Sequence, residues 1–360
     1  MTRSDTKALN LRLCFVGAMI GRQPGQVTTQ GEILSDLFKI KGYSVTSVSS
    51  LRNRYMRLAD IIITLIKQKR EIDLQCLQVF GGPSFVLEDI ASWLGQRFGQ
   101  RIIMFLRGGA MPEFMARFPR WTRRVLARAD AIIAPSEFLA RAVIPYGFSA
   151  QVIPNVIDLS KYPYRHRQAV SPHMLWMRTF HPVWNPMMAV RVVARLRTAM
   201  PESRLVMAGQ NKGQEAEVRR LAEELGLNGA VRFSGFLDMS GKVREGDSAD
   251  IFLNTPRVDN MPVAVIEACA MGMPVVTTAV GGIPDLLTDG ETGLLVPPDD
   301  DEAMVQALQR LVNDPSLAGR LSANGRQLAE RSAWERVCPE LERVFARAMG
   351  RPDSGRSSSF

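Results

Sequence analysis

Two carboxylates with seven residues between them, Asp259 and Glu267, frame the stretch of this sequence best equipped to do chemistry. A short apolar strand over residues 250–253 runs into a polar loop holding Asp259, Asn260 and Met261. Pro262 suits the first turn of a helix that runs to about residue 271, and Gly272 suits its exit. A second strand over 274–278 leads through Gly281-Gly282 to another helix start near Pro284. Two parallel strands thus each deliver the chain to a helix N-terminus at one sheet edge. Backbone N–H groups and the helix dipole there suit an anion such as phosphate, and open α/β sheets bind ligands outside the carboxyl ends of their strands. Arg178, just beyond a strand over 173–177, offers a guanidinium that matches paired phosphate oxygens. Asp or Asn ahead of a helix is also an ordinary N-cap, and Gly-Gly alone is a weak signal.

The elements that must position these residues alternate β and α along the whole chain, which points to parallel sheets in an α/β fold. Strands are expected over 11–16, 44–48, 74–80, 101–106, 131–134 and 152–153, with helices over 28–40, 54–67, 83–98 and 119–128 between them. Residues 154–172 lose periodicity and gather prolines and mixed charge, the composition of a linker. The alternation restarts with a strand over 173–177, a helix over 186–200, a strand over 204–207, a helix over 214–225 and a strand over 230–234. Helices over 300–313, 315–331 and 333–349 follow, and the Gly/Ser/Arg-rich residues 350–360 read as a disordered tail.

At 360 residues the chain is long enough for two domains. It has no run of 18 apolar residues, and its start reads as a strand rather than a signal peptide. Four scattered cysteines without C-x-x-C spacing read as buried thiols of a cytoplasmic protein. Neither they nor the three histidines show metal-ligand spacing, and Asp299-Asp300-Asp301 opens a helix, where capping explains it; no metal is expected. Residues 1–170 hold 24 Lys and Arg against 12 Asp and Glu, and residues 171–360 hold 21 against 24. The basic first half suits an anionic partner, and Arg120, Arg123, Arg124 and Arg128 beside Phe118 and Trp121 suit an anionic membrane surface as well as a plain solvated face. No nucleic-acid-binding motif accompanies the charge.

The stretch Asp259…Glu267, Gly272-Met273-Pro274-Val275-Val276 and Gly281-Gly282-Ile283-Pro284 resembles the donor-binding segment of the family 4 glycosyltransferases. The resemblance implies a GT-B fold: two Rossmann-like domains facing a central cleft, with a final helix returning to the first domain at Trp334-Glu335. It covers nearly the whole chain and is tight in the second half. It implies domains over residues 1–153 and 173–332, joined by the linker, with 333–349 returning. It also implies a retaining glycosyltransferase of polysaccharide or cell-envelope synthesis, moving a sugar from a nucleotide-sugar co-substrate to a glycan or lipid-linked acceptor without other cofactors. On this footing Glu267 binds the nucleotide ribose, Arg178 the diphosphate, and Asp259, Asn260, Met261 and Pro262 the sugar and phosphates, with Gly281 and Gly282 admitting close backbone approach. Gly25, in the loop after the first strand, loosely resembles the family's glycine loop. Three departures stand out. Asp259 replaces the usual Glu, one methylene shorter. The second cation usual near Val183 is missing, and Lys212 is a candidate replacement. Arg107 replaces a His that touches the transferred sugar, and an arginine stays protonated and is no general base. The departures leave open an alternative: a binder of nucleotide sugars that has lost transfer. A nicotinamide dehydrogenase is disfavoured because GAMIGRQPG lacks the G-x-G-x-x-G spacing.

Overall fold

The computed structural model describes residues 11–21, 23 and 25–350. Pro24, beside Gly25, and the expected tail over 351–360 lie outside them. Two compact units divide the chain, one made of residues up to Val156 together with those from Trp334 on, the other of Ile157–Ala333.

The first unit is built on six parallel strands: β1 (Arg12–Val16), β2 (Ser44–Val48), β3 (Leu74–Phe80), β4 (Arg101–Arg107), β5 (Ala131–Ala134) and β6 (Gln151–Val152), in the order β2-β1-β3-β4-β5-β6. β3 is buried along nearly its whole length, and β4 likewise, as expected of strands covered by helices on both faces. The direction of winding reverses between β1 and β3, which opens a crevice at the carboxyl ends of those strands. The helix Trp334–Ala348 belongs to this unit. Its apolar face packs on β4 and on the helix Gln30–Ile40, with Phe38 stacked edge-on against Trp334 at 5.0 Å and Tyr43 donating to Glu342 at 2.6 Å.

The second unit carries β7 (His173–Met177), β8 (Arg204–Ala208), β9 (Val231–Gly235), β10 (Ile251–Asn254), β11 (Val275–Thr278) and β12 (Leu294–Val296), all parallel. Their order, β12-β11-β10-β7-β8-β9, is the doubly wound Rossmann order, with the reversal between β7 and β10. Both units are therefore α/β, as the alternation predicts.

The linker expectation needs correction, and two helices add to the sequence reading. The expected linker is not one. Residues from Ile157 on belong to the second unit, because the Arg167 guanidinium is buried and donates to the carbonyls of Met271, Gly246 and Ala249 at 2.6–2.9 Å. Those carbonyls sit at or near helix ends, where C=O groups lack helical partners. Prolines and charge made this strap look unstructured. The helix Met239–Ser248 escapes sequence reading because two glycines weaken its propensity; Asp238 caps it through Gly241 N–H at 2.7 Å. The helix expected near Pro284 is a single turn, Ile283–Leu286.

Among the described residues no helix is long and apolar enough to cross a membrane. Glu88, in the first turn of Phe85–Arg97, is buried with Oε2 unpartnered, and burial pushes its carboxyl up to about 8. Between its ordinary value and about 8 the unfolded chain is ionised here while the folded chain holds the proton. Glu88 therefore removes stability as pH rises through that window, by on the order of 4 kcal/mol in full. Glu88→Gln is expected to be much more stable than wild type at pH 8 and little changed at pH 4.5. Urea midpoints at the two pH values check this; an equal shift at both would refute it.

Candidate functional site

The carboxyl ends of β7 and β10 meet at the reversal point of the second sheet. Arg178 follows β7 directly, and the loop after β10 carries Asp259. Their side chains form an ion pair, Arg178 Nη2 to Asp259 Oδ2, in which each is about nine-tenths buried. The Trp184 ring lies against the guanidinium with Cζ 3.7 Å from its centroid. Held at its edge by a carboxylate and on its face by an indole, Arg178 has little rotamer freedom left to lose on binding an anion.

The supports of that pair are themselves tied down. Trp176 in β7 is fully buried and donates its indole N–H to Thr255 Oγ1 at 3.0 Å. The same hydroxyl lies 3.0 Å from the carbonyls of Trp184 and Asn185, so one threonine links the sheet to the turn that carries Trp184. Asp259 Oδ1 accepts from its neighbour Asn260 N–H at 2.8 Å. Gly281 passes so close to this loop that a Cβ there would come within 1.9 Å of the Asp259 carbonyl, at a φ of +54°. Gly209, after β8, abuts Arg178 in the same way, its would-be Cβ 1.7 Å from the Arg178 carbonyl. Any larger residue at either position displaces the loop it touches.

The helix Val263–Ala270 starts beside this loop. Pro262 is its N-cap rather than its first residue, and no side chain caps it. Its first-turn N–H groups are the kind that accept an anion. The one-turn helix at Ile283 adds N–H groups but little dipole.

Glu267 lies in the second turn of this eight-residue helix, 5% exposed. Lys242 Nζ donates to both its oxygens at 2.7 and 2.9 Å, and the Tyr162 hydroxyl donates to Oε1 at 2.8 Å. A carboxylate offers about four acceptor positions, so these three hydrogen bonds leave room for one more, such as one from a sugar hydroxyl. Burial and the neighbouring carboxylate push the Tyr162 phenol far up, which keeps it a donor.

The structure thus gathers Arg178, Asp259, Asn260, Gly281 and Gly282 at one crevice, with Met261 buried and Pro262 opening the adjoining helix. Lys212 sits in the loop after β8, its N–H bonded to the Phe180 carbonyl at 3.2 Å, with an exposed side chain. Arg107 and Gly25 belong to the first unit. Gly25 takes a φ of +71° there. Of the triple aspartate, Asp300 caps a helix through Ala303 N–H, Asp301 pairs with Arg191 and Asp299 with Arg257, so the three diverge. No group of three or more potential metal ligands occurs among the described residues. Sequence reasoning missed Lys242, Tyr162 and Trp184. All three lie outside the motif and reach it through tertiary contacts.

Comparison with known proteins comes to the same place. Residues 46–161 match the family model described as Glycosyltransferase Family 4, and residues 170–328 match Glycosyl transferases group 1. A D-inositol 3-phosphate glycosyltransferase of Stackebrandtia nassauensis is 34% identical over 185 residues, which cover 47% of this chain and 40% of that protein. The match therefore spans less than half the length of this curated relative. Among solved structures, sucrose-phosphate synthase from Thermosynechococcus elongatus has a TM-score of 0.78 at 18% identity over 94% of this chain and 99% of that one. Anabaena HepE, solved in complex with UDP and glucose, has a TM-score of 0.73 at 16% identity, covering 93% and 99%. These likenesses establish the two-sheet fold.

Proposed function

This chain belongs to the GT-B glycosyltransferases, with a family 4 domain followed by a group 1 domain, and we propose that it moves a sugar from a nucleotide-sugar donor to a glycan or lipid-linked acceptor. The observation that carries the proposal is Arg178, held by Asp259 and Trp184 at the reversal point of a doubly wound sheet, beside a helix whose N-terminus no side chain caps. Such an array suits a diphosphate, and the room left on Glu267 suits a ribose hydroxyl. The Anabaena neighbour was solved with UDP, which makes UDP the first nucleotide to test.

As the bond between the sugar's anomeric carbon and the diphosphate breaks, negative charge grows on the leaving oxygen. On this reading Arg178 and the helix N–H groups stabilise it without reorganising. We read the reaction as metal-independent and retaining, with the departing phosphate oxygen taking the acceptor's proton. Asp259 then acts by orienting Arg178. Hydrolysis of an α-linked donor followed by proton NMR tests this reading: the α-anomer should appear first, at a rate unaffected by EDTA. First appearance of the β-anomer, or loss of the rate in EDTA, would sink the corresponding claim.

A peripheral membrane location also forms part of the proposal, by a different surface from the one the sequence suggests. Arg124 and Arg128 both turn toward Asp89, whose one carboxylate ties down two of the four arginines there. On the helix Arg54–Lys67, by contrast, Tyr55, Met56, Ile63 and Ile66 are 46–69% exposed and share one face, with Arg52, Arg54, Lys67, Lys69 and Arg70 about its ends. Ile63→Asp with Ile66→Asp should cut co-sedimentation with vesicles containing anionic lipid at least several-fold. Sedimentation equal to wild type would dismiss this face as the contact.

A further inference from the structure

Arg107 closes β4, and its guanidinium is almost wholly buried among neutral partners. Nε donates to Gln78 Oε1 at 3.0 Å and Nη1 to Asn155 Oδ1 at 2.5 Å, while the Phe105 ring lies 5.5 Å from Cζ. Among the described residues no carboxylate comes within ion-pair distance of it, and Nη2 makes no hydrogen bond. Among the described residues the other deeply buried guanidinium groups have acceptors of matching character: Arg178 has Asp259, and Arg167 has four carbonyls. Burial lowers the Arg107 pKa to about 10, which still leaves a cation at neutral pH.

A second, independent irregularity sits beside it. Gln78 is 4% exposed, and its Nε2 has no hydrogen-bond partner. Gln78 lies near the carboxyl end of β3, at the reversal point of the first sheet, where the helix Gln30–Ile40 begins. The first turn of that helix packs directly on it: a Cβ on Gly31 would lie 2.9 Å from Gln78 Cγ. The nearby Glu32 carboxylate is spent on the N–H groups of Gly21 and Thr29 at 2.8 Å. A buried cation without an anion and a buried amide N–H without an acceptor are both costly. A ligand oxyanion at Arg107 supplies the missing anion, and Gln78, whose Oε1 already fixes Nε, carries the neighbouring unpartnered N–H.

We propose that Arg107 and Gln78 form a subsite for an oxyanion, a carboxylate or a phosphate, carried by the sugar or polyol substrate. This rests on the transferase reading only in taking the oxyanion to belong to a substrate. The subsite would make the chain selective for acidic over neutral sugars, on the donor or on the acceptor.

The first test uses probes without a nucleotide, so that its outcome does not depend on the donor site. The full chain is titrated with glucose, glucuronate and glucose 6-phosphate at constant ionic strength, read by ligand-observed NMR. At least one acidic sugar should bind about tenfold or more tightly than glucose. Arg107→Gln should erase the preference and Arg107→Lys retain part of it. Gln78→Leu, which leaves the cation in place, should weaken it. Circular dichroism checks each fold. Equal affinities in wild type, or a preference unchanged in both Arg107→Gln and Gln78→Leu, overturns the proposal. The source of the oxyanion follows from two further pairs. An Arg107-dependent preference for UDP-glucuronate over UDP-glucose places it on the donor. The same preference for D-inositol 3-phosphate over inositol, with UDP present, places it on the acceptor.

Discussion

Arg178→Ala is expected to slow donor turnover by about 10²–10³-fold and to lower stability by ~3–5 kcal/mol. Both effects follow from one geometry. On the proposed reading the guanidinium meets charge developing on the leaving diphosphate, and its removal leaves the Asp259 carboxylate buried without a cation. The two losses can be separated. In the double variant Arg178→Ala/Asp259→Ala no charge is buried alone, so much of the stability should return while turnover stays low. Arg178→Lys keeps a charge but loses the planar stack on Trp184 and should fall between. Urea midpoints and turnover measured on all four proteins give the comparison. If turnover recovered with stability in the double variant, Arg178 would be a structural residue and its assignment to the diphosphate would fail.

Glu267→Ala should weaken UDP binding by about 10–100-fold, the size of a hydrogen bond to a charged group. The carboxylate accepts from Lys242 and Tyr162, which fix it in place and leave one acceptor position open. Tyr162→Phe removes one of the fixed donors without touching the open position and should cost much less. Titration calorimetry with UDP on the wild type and the two variants gives the comparison. Unchanged affinity in Glu267→Ala would remove Glu267 from the nucleotide site. A larger loss in Tyr162→Phe than in Glu267→Ala would mean that the strap, and not the carboxylate, holds the nucleotide.

Much of the second unit is legible in its sequence because the signals are local. The prolines and glycines around Val263–Ala270 bracket a helix, the β-branched run at Val275–Thr278 is a strand buried on both faces, and Gly281 marks a contact that leaves no space for a side chain. Arg178 and Asp259 are recognisable separately. Their pairing is not, since 80 residues lie between them and only the strand order brings β7 beside β10. The same holds for Lys242 and Tyr162 around Glu267. The strap from Ile157 shows the opposite failure: its prolines and charges read as a linker, yet Arg167 and Tyr162 bury themselves against the second unit. Arg107 is conspicuous in sequence as a departure from a resembling family, but its neutral surroundings appear only when Gln78 and Asn155 are seen beside it.

The measurement that tests the account most directly is release of nucleoside diphosphate from a panel of nucleotide sugars, neutral and acidic, by the full chain, with binding followed in parallel. At least one donor is expected to bind and be slowly hydrolysed, and Arg178→Ala to suppress the hydrolysis. Binding without release, even with acceptors added, would leave a nucleotide-sugar binder that has lost transfer. No binding to any donor would contradict the assignment of Arg178 and Glu267 to a nucleotide-sugar site.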